Sequence, residues 1–146
     1  LIGALEKIKS YLDYGAFTPI QVAAASALSS DPSTIAKVRE VYKKRRNVLV
    51  DAMSKAGWEI PSPDATMFAW APIPEKFQSL GSLEFSKVLL KEADISVAPG
   101  IGFGEYGENF VRIGLVENEH RIRQAARNIK AVFTKADKIL SDHSPN

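Results

Sequence analysis

Arg112 is the most informative of the side chains in this sequence that could do chemistry. It interrupts the apolar run Phe110-Val111-Arg112-Ile113. Strand alternation sets Val111 and Ile113 on one face and Arg112 on the other, beside Phe110 and Gly114. A guanidinium in that company must be paired or aimed at an anion, because a bare buried charge is strongly unfavourable. Its planar fork fits a carboxylate through two parallel hydrogen bonds, and the missing side chain at Gly114 leaves room beside it. The competing reading is an edge-strand arginine that faces water.

Other candidates are weaker. Gly102, Gly104 and Gly107 spell Gly-x-Gly-x-x-Gly. A dinucleotide site needs a helix N-terminus directly after those glycines, whereas Asn109 to Val116 is β-rich. Arg121, Arg123 and Arg127 stand where a ribose-binding acid is required. The glycines read instead as a mobile loop tip that lets a ligand approach closely. Lys37, Arg39, Lys43, Lys44, Arg45 and Arg46 form a basic run, but at helical spacing they point in several directions and only Tyr42 is interleaved, so a solvated face is favoured over a nucleic-acid surface. Arg45, between Tyr42 and Leu49, is expected to bury part of its stem and pair its head with an acid. His120 falls in a first helical turn and reads as structural; with His143 the only other histidine and no cysteine, neither a metal centre nor thiol chemistry is expected. Nothing selects a nucleophile for a Ser-His-Asp arrangement.

These residues must be positioned by elements that the pattern allows. The chain has 146 residues, 45% hydrophobic and 25% charged, with a formal charge of +2, enough for the core of one ordinary domain. No apolar run approaches the roughly 20 residues that span a bilayer, and no signal peptide is apparent, so a cytoplasmic location is expected. Leu1 opens inside a helical pattern without a cap, which reads as a piece of something longer. Leu1, Leu5, Ile8 and Leu12 predict a helix, followed by a turn at Tyr14 to Thr18. Ile20 to Leu28 is alanine-rich and predicts a tightly packed second helix. Asp31 and Pro32 start a long helix that Gly57 closes. Trp58 to Ile60 predicts a short strand and Thr66 to Ala71 a second one. Ser82 is expected to cap a helix running to Ala93. Ile95 to Ala98 and Asn109 to Val116 predict strands joined by the loop Pro99 to Gly107. Asn118 caps a last helix whose apolar stripe runs from Ile122 to Leu140, and Ser141 to Asn146 reads as a frayed tail. The class is α+β: a small mixed or antiparallel sheet with helices packed on one side.

Three segments carry a family resemblance through their order and spacing: Ser10-Tyr11-Leu12-Asp13-Tyr14-Gly15-Ala16-Phe17-Thr18-Pro19-Ile20-Gln21, Pro63-Asp64-Ala65-Thr66-Met67-Phe68-Ala69-Trp70, and Val97-Ala98-Pro99-Gly100 through Gly102-Phe103-Gly104 to Val111-Arg112-Ile113. Over almost its whole length the chain resembles the C-terminal part of the class I/II, fold-type I pyridoxal-phosphate aminotransferases, most closely the alanine-type and diaminopimelate-type branch. The resemblance implies that Arg112 holds the substrate α-carboxylate. Gly100 would lie in a loop bordering the substrate entrance and Phe68 near the pocket wall. Phe17 and Thr18 would approach the active site of the neighbouring subunit in a homodimer. It further implies pyridoxal 5'-phosphate as cofactor, and an amino acid such as alanine with a 2-oxo acid as substrates. Residues 1–30 would end the large domain, 31–57 form an interdomain helix, 58–141 a small domain and 142–146 a disordered tail.

The departure from the family pattern is as informative. The Schiff-base lysine, in a Ser-Lys or Ser-x-x-Lys motif followed by a glycine and a phosphate-binding arginine, is expected upstream of Leu1. Ser54-Lys55-Ala56-Gly57 imitates it, but at the end of the long helix and with Glu59 where the arginine belongs. No catalytic residue, metal ligand or covalent cofactor site is therefore expected within the chain, and alone it should not transaminate. Partners are small molecules, with no nucleic acid and no membrane. A decarboxylase, lyase or acyltransferase of the same cofactor and fold stays open, as does a free-standing module that binds a small carboxylate.

Overall fold

The computed structural model of the protein describes residues 1–13 and 15–142. Tyr14, in the expected turn, and residues 143–146 of the expected tail, His143 among them, lie outside the described residues. The chain divides into two compact units, Leu1–Lys37 and Val38–Asn146.

The first unit holds α1 (Ile2–Asp13), α2 (Thr18–Leu28) and the start of α3 (Ser33–Lys55). Pro19 sits in the first turn of α2, where its missing N–H costs nothing. Asp31 takes both Ser33 donors, Oδ2 from the hydroxyl at 2.6 Å and Oδ1 from the amide at 2.9 Å. The hydroxyl first and the amide second hold the Asp31 carboxyl below the usual carboxylate range. No residue of α1 or α2 is buried, Leu5, Ile8 and Ile20 included. The tight packing expected for the alanine-rich helix is thus not seen within this unit, where none of the described residues buries it.

The second unit is built on the rest of α3, β1 (Phe68–Pro72), α4 (Gly81–Ala93), β2 (Ala98–Pro99), β3 (Phe110–Gly114), α5 (Glu119–Thr134) and α6 (Ala136–Asp142). The strands form one antiparallel sheet in the order β1-β3-β2. One face carries Ala69, Ala71 and Val111, all fully buried in a core shared with Leu49 and Met53 of α3, Val88 and Leu89 of α4 and Ile122 and Ile129 of α5. Four rings fill its centre: Trp58, Phe77, Phe85 and Phe133, with centroids 5.2 to 5.9 Å apart in edge and tilted pairs. Each such buried ring contributes about 2–3 kcal/mol by area alone. Among the described residues no helix is long and apolar enough to cross a membrane.

Several local expectations change. Trp58 to Ile60 forms no strand: the Trp58 amide returns to the Met53 carbonyl at 2.9 Å to finish α3, while its indole Nε1 donates to the Pro72 carbonyl at 2.7 Å. Burial of Trp58 and Ile60 around exposed Glu59 imitates strand alternation without a ladder. Of the segment Ile95 to Ala98 only Ala98 pairs, since the Ile95 amide is spent on the Leu89 carbonyl at the end of α4. Ser82 is not a cap: α4 starts one residue earlier, and Ser82 is buried in its first turn. The last helix is two, broken at Lys135 (φ −101°, ψ 14°) although the apolar stripe continues through Ala136 and Ile139. Ser141 and Asp142 complete α6. Asn118 does cap α5, its Oδ1 accepting from the amides of His120 and Arg121 at 3.0 and 3.1 Å.

Candidate functional site

β3 is the central strand, so Arg112 is not an edge residue. It stands directly across from Trp70 of β1 and Ala98 of β2. Directly opposed residues share a face. The face away from the core therefore carries Phe68, Trp70, Phe110, Arg112 and the bare Gly114. The half-buried Arg112 side chain is framed by aromatic rings: its Cζ lies 4.3 Å from the centroid of Phe68 and 4.4 Å from that of Phe103. Trp70 stacks on Phe110 at 5.5 Å and meets Phe103 edge-on at 5.7 Å. Cation–π contacts of this kind contribute about 0.5–2 kcal/mol each and hold the guanidinium plane.

Among the described residues, the Arg112 guanidinium has no hydrogen-bond acceptor and no acid within ion-pair distance. Its ring contacts orient the group without satisfying its five N–H donors. An anion with two oxygens in one plane, a carboxylate above all, meets that need.

Two backbone devices hold the frame. Thr66, just before β1, has φ 72°, a left-handed conformation rare for a β-branched residue. Its Oγ1 accepts from the Phe68 amide at 3.1 Å and donates to the Phe68 carbonyl at 3.2 Å, which fixes the residue whose ring lies on Arg112. The loop from Pro99 to Gly107 winds into two 3-10 turns, Gly100–Phe103 and Glu105–Gly107. Gly100 and Gly107, both buried, bring their backbones so close that a Cβ on either would run into the other's carbonyl. Of the glycines expected at the loop tip, Gly102 and Gly104 are exposed with open space beside them, while Gly107 closes the neck against Gly100, and the loop presents Phe103 to Arg112.

Of the residues singled out from the sequence, Arg112 and Phe68 are thus in contact, and Gly100 lies at the neck of the loop. Phe17 precedes α2 and is 72% exposed, and Thr18 opens that helix; both belong to the first unit. Phe103, Trp70 and the loop anchors described below were not singled out. The one signal for Phe103 was an aromatic residue between two glycines. Among the described residues Arg45 pairs with no acid: its Nη1 donates to the carbonyls of Leu115 and Val116, just past β3, at 3.0 and 3.1 Å. Lys44 takes the acid instead, Glu119, at 3.5 Å. The Glu119 carboxyl is held below its usual range chiefly by its own backbone amide, then by Lys44 and Arg45. Exposed Lys55 is paired with Asp51 at 2.8 Å.

A family model described as aminotransferase class I and II matches residues 1–129. The chain belongs to the class I and II aminotransferases. It is 66% identical over 140 residues to AatC of Rhizobium meliloti (strain 1021), covering 96% of this chain and 35% of that protein. It is 54% identical over 140 residues to the glutamate-pyruvate aminotransferase AlaC of Escherichia coli (strain K12), covering 96% of this chain and 34% of the relative. Among solved structures it resembles an aromatic aminotransferase from Pyrococcus horikoshii OT3, with a TM-score of 0.77 and 29% identity over 90% of this chain and 35% of that one. The chain thus spans about a third of the length of the relatives it matches. Membership implies pyridoxal phosphate in full-length enzymes of the family. Among the described residues no lysine packs its ammonium on Phe68, Phe103 or Trp70, and exposed Lys55 is paired with Asp51. What they offer is the arginine and its aromatic frame.

Proposed function

We infer that this chain supplies the substrate-carboxylate-binding part of a pyridoxal-phosphate aminotransferase, with Arg112 forking the α-carboxylate of an amino acid such as alanine and of its 2-oxo acid partner. The observation that carries this reading is Arg112 itself: central strand, two rings at its guanidinium, and donors with no acceptor among the described residues. A carboxylate there fixes both the position and the rotation of the substrate, so that its Cα meets the reacting groups in one geometry. Phe68 walls that position, and Gly100 keeps the neighbouring loop closed beside it.

The rest of the assignment follows from the same reading. Residues 1–30 complete the large domain, 31–57 join it to the small domain, and 58–141 form that small domain. The exposed apolar residues of α1 and α2 support this, since they need a cover that the first unit lacks. The Schiff-base lysine and the residues that hold the cofactor come from another part of a longer polypeptide, which works in the cytoplasm as a homodimer. Phe17 and Thr18 reach towards the neighbouring subunit's site.

The test is Arg112→Ala in the full-length enzyme with alanine as donor. Loss of a charge-assisted pair lowers kcat/KM about 100-fold. Unchanged kinetics would remove the assignment.

A further inference from the structure

A second polar cluster anchors the loop that carries Phe103. Ser82, fully buried in the first turn of α4, donates its hydroxyl to Glu108 Oε2 at 3.0 Å and its amide to Glu108 Oε1 at 3.1 Å. The same hydroxyl oxygen accepts from the Ile101 amide at 3.1 Å. Ile101 and Glu108 flank the neck of the loop, and the close-packed backbones of Gly100 and Gly107 meet at that neck. Ser82 therefore ties both ends of the loop to α4, holding Ile101 through its hydroxyl oxygen and Glu108 through its hydroxyl and amide, and the carboxylate takes an amide that the first turn of the helix leaves without an intrahelical partner.

We propose that Glu108 is a positioning residue for substrate binding, acting through Ser82 and Ile101 to hold Phe103 on the Arg112 guanidinium. This rests on the carboxylate-binding reading of Arg112. The chain of contact is continuous: Glu108 to Ser82, Ser82 to Ile101, and the Gly100–Phe103 turn to a ring 4.4 Å from Arg112 Cζ. With the loop released, Arg112 keeps only the Phe68 ring, and a long side chain regains rotamers that binding must then freeze. A carboxylate is required at position 108, not merely a side chain of that shape. Both Ser82 groups that face it are donors, so a glutamine can accept from one of them only by turning its NH2 donors towards the other.

The experiment uses the full-length enzyme with Glu108→Gln, which keeps shape and volume, and with Ser82→Ala as the second variant. The structure predicts faster hydrogen exchange at the amides of residues 101–107 with α5 unchanged. It also predicts a KM for an α-carboxylated amino acid raised about fivefold to tenfold, the size expected for loss of one well-made polar contact, with kcat within about twofold. Phe103→Ala should raise KM similarly, and the Glu108→Gln/Phe103→Ala double variant should be no worse than either single change. Unchanged exchange in the loop overturns the clamp. Loosened exchange with parental KM, a loss confined to kcat, or additive effects of the two changes overturns the link to Arg112. If Arg112→Ala itself leaves KM unchanged, the carboxylate reading fails instead, so the two failures are distinct.

Discussion

The two faces of one three-stranded sheet are made differently. Towards the helices the sheet presents Ala69, Ala71 and Val111, all with no exposed surface, and leaves the bulk of the core to the rings of Trp58, Phe77, Phe85 and Phe133. On the other side β1 and β3 present Phe68, Trp70, Phe110 and Arg112, large groups left partly open, with Trp70 38% exposed. The period-2 alternation of a strand places a closed core position and a partly open one a single residue apart. Val111 holds the fold, and its neighbour Arg112 is free to hold something else.

Substitutions that strike one face and spare the other test that division. The largest expected effect is on the core face: Phe85→Ala, at a fully buried ring in edge contact with Trp58, should cost about 3–5 kcal/mol in a denaturant titration of the full-length protein. The folded fraction should keep its KM for amino acids. On the open face, Phe68→Leu retains most of the volume but removes one ring from Arg112. It should raise that KM about threefold to tenfold, as expected for loss of one cation–π contact, while shifting the unfolding midpoint little. A large drop in stability with parental KM would show that the open face is simply more core.

How legible this was depended on the range of the interactions. Arg112 stood out because alternation within five residues sets a charge against apolar neighbours, and the Asn118 cap is a contact between residues two and three apart. That β3 is central was not readable, since β1 and β2 both precede it in the chain, and the last strand enters between them through a register set across long connections. Ser82 has the composition of a helix cap, and only the carboxylate 26 residues later, which takes over the capping, reveals its other task. The Trp58 to Ile60 segment misled because burial on alternate residues arises equally in a strand and in an extended chain anchored by one indole. Repeated apolar spacing in α1 and α2 gave the helices, but nothing local names what should cover them.

Two smaller effects sharpen the comparison. Asn118→Ala removes the one oxygen that accepts from two amides at the start of α5 and should cost about 1 kcal/mol of stability without moving KM. Lys55→Ala, at an exposed residue paired with Asp51, should change stability by no more than about 0.5 kcal/mol. Borohydride reduction of the full-length enzyme with its cofactor, followed by peptide mapping, should leave Lys55 unlabelled.

On the proposed function, Arg112 holds the carboxylate of the amino donor. The most direct test compares alanine with ethylamine, which lacks that carboxylate, as amino donors for the full-length enzyme and its Arg112→Ala variant. The preference for alanine should fall about 100-fold in the variant, with turnover of ethylamine unchanged. A preference that survives the substitution, or equal losses for both donors, would contradict it.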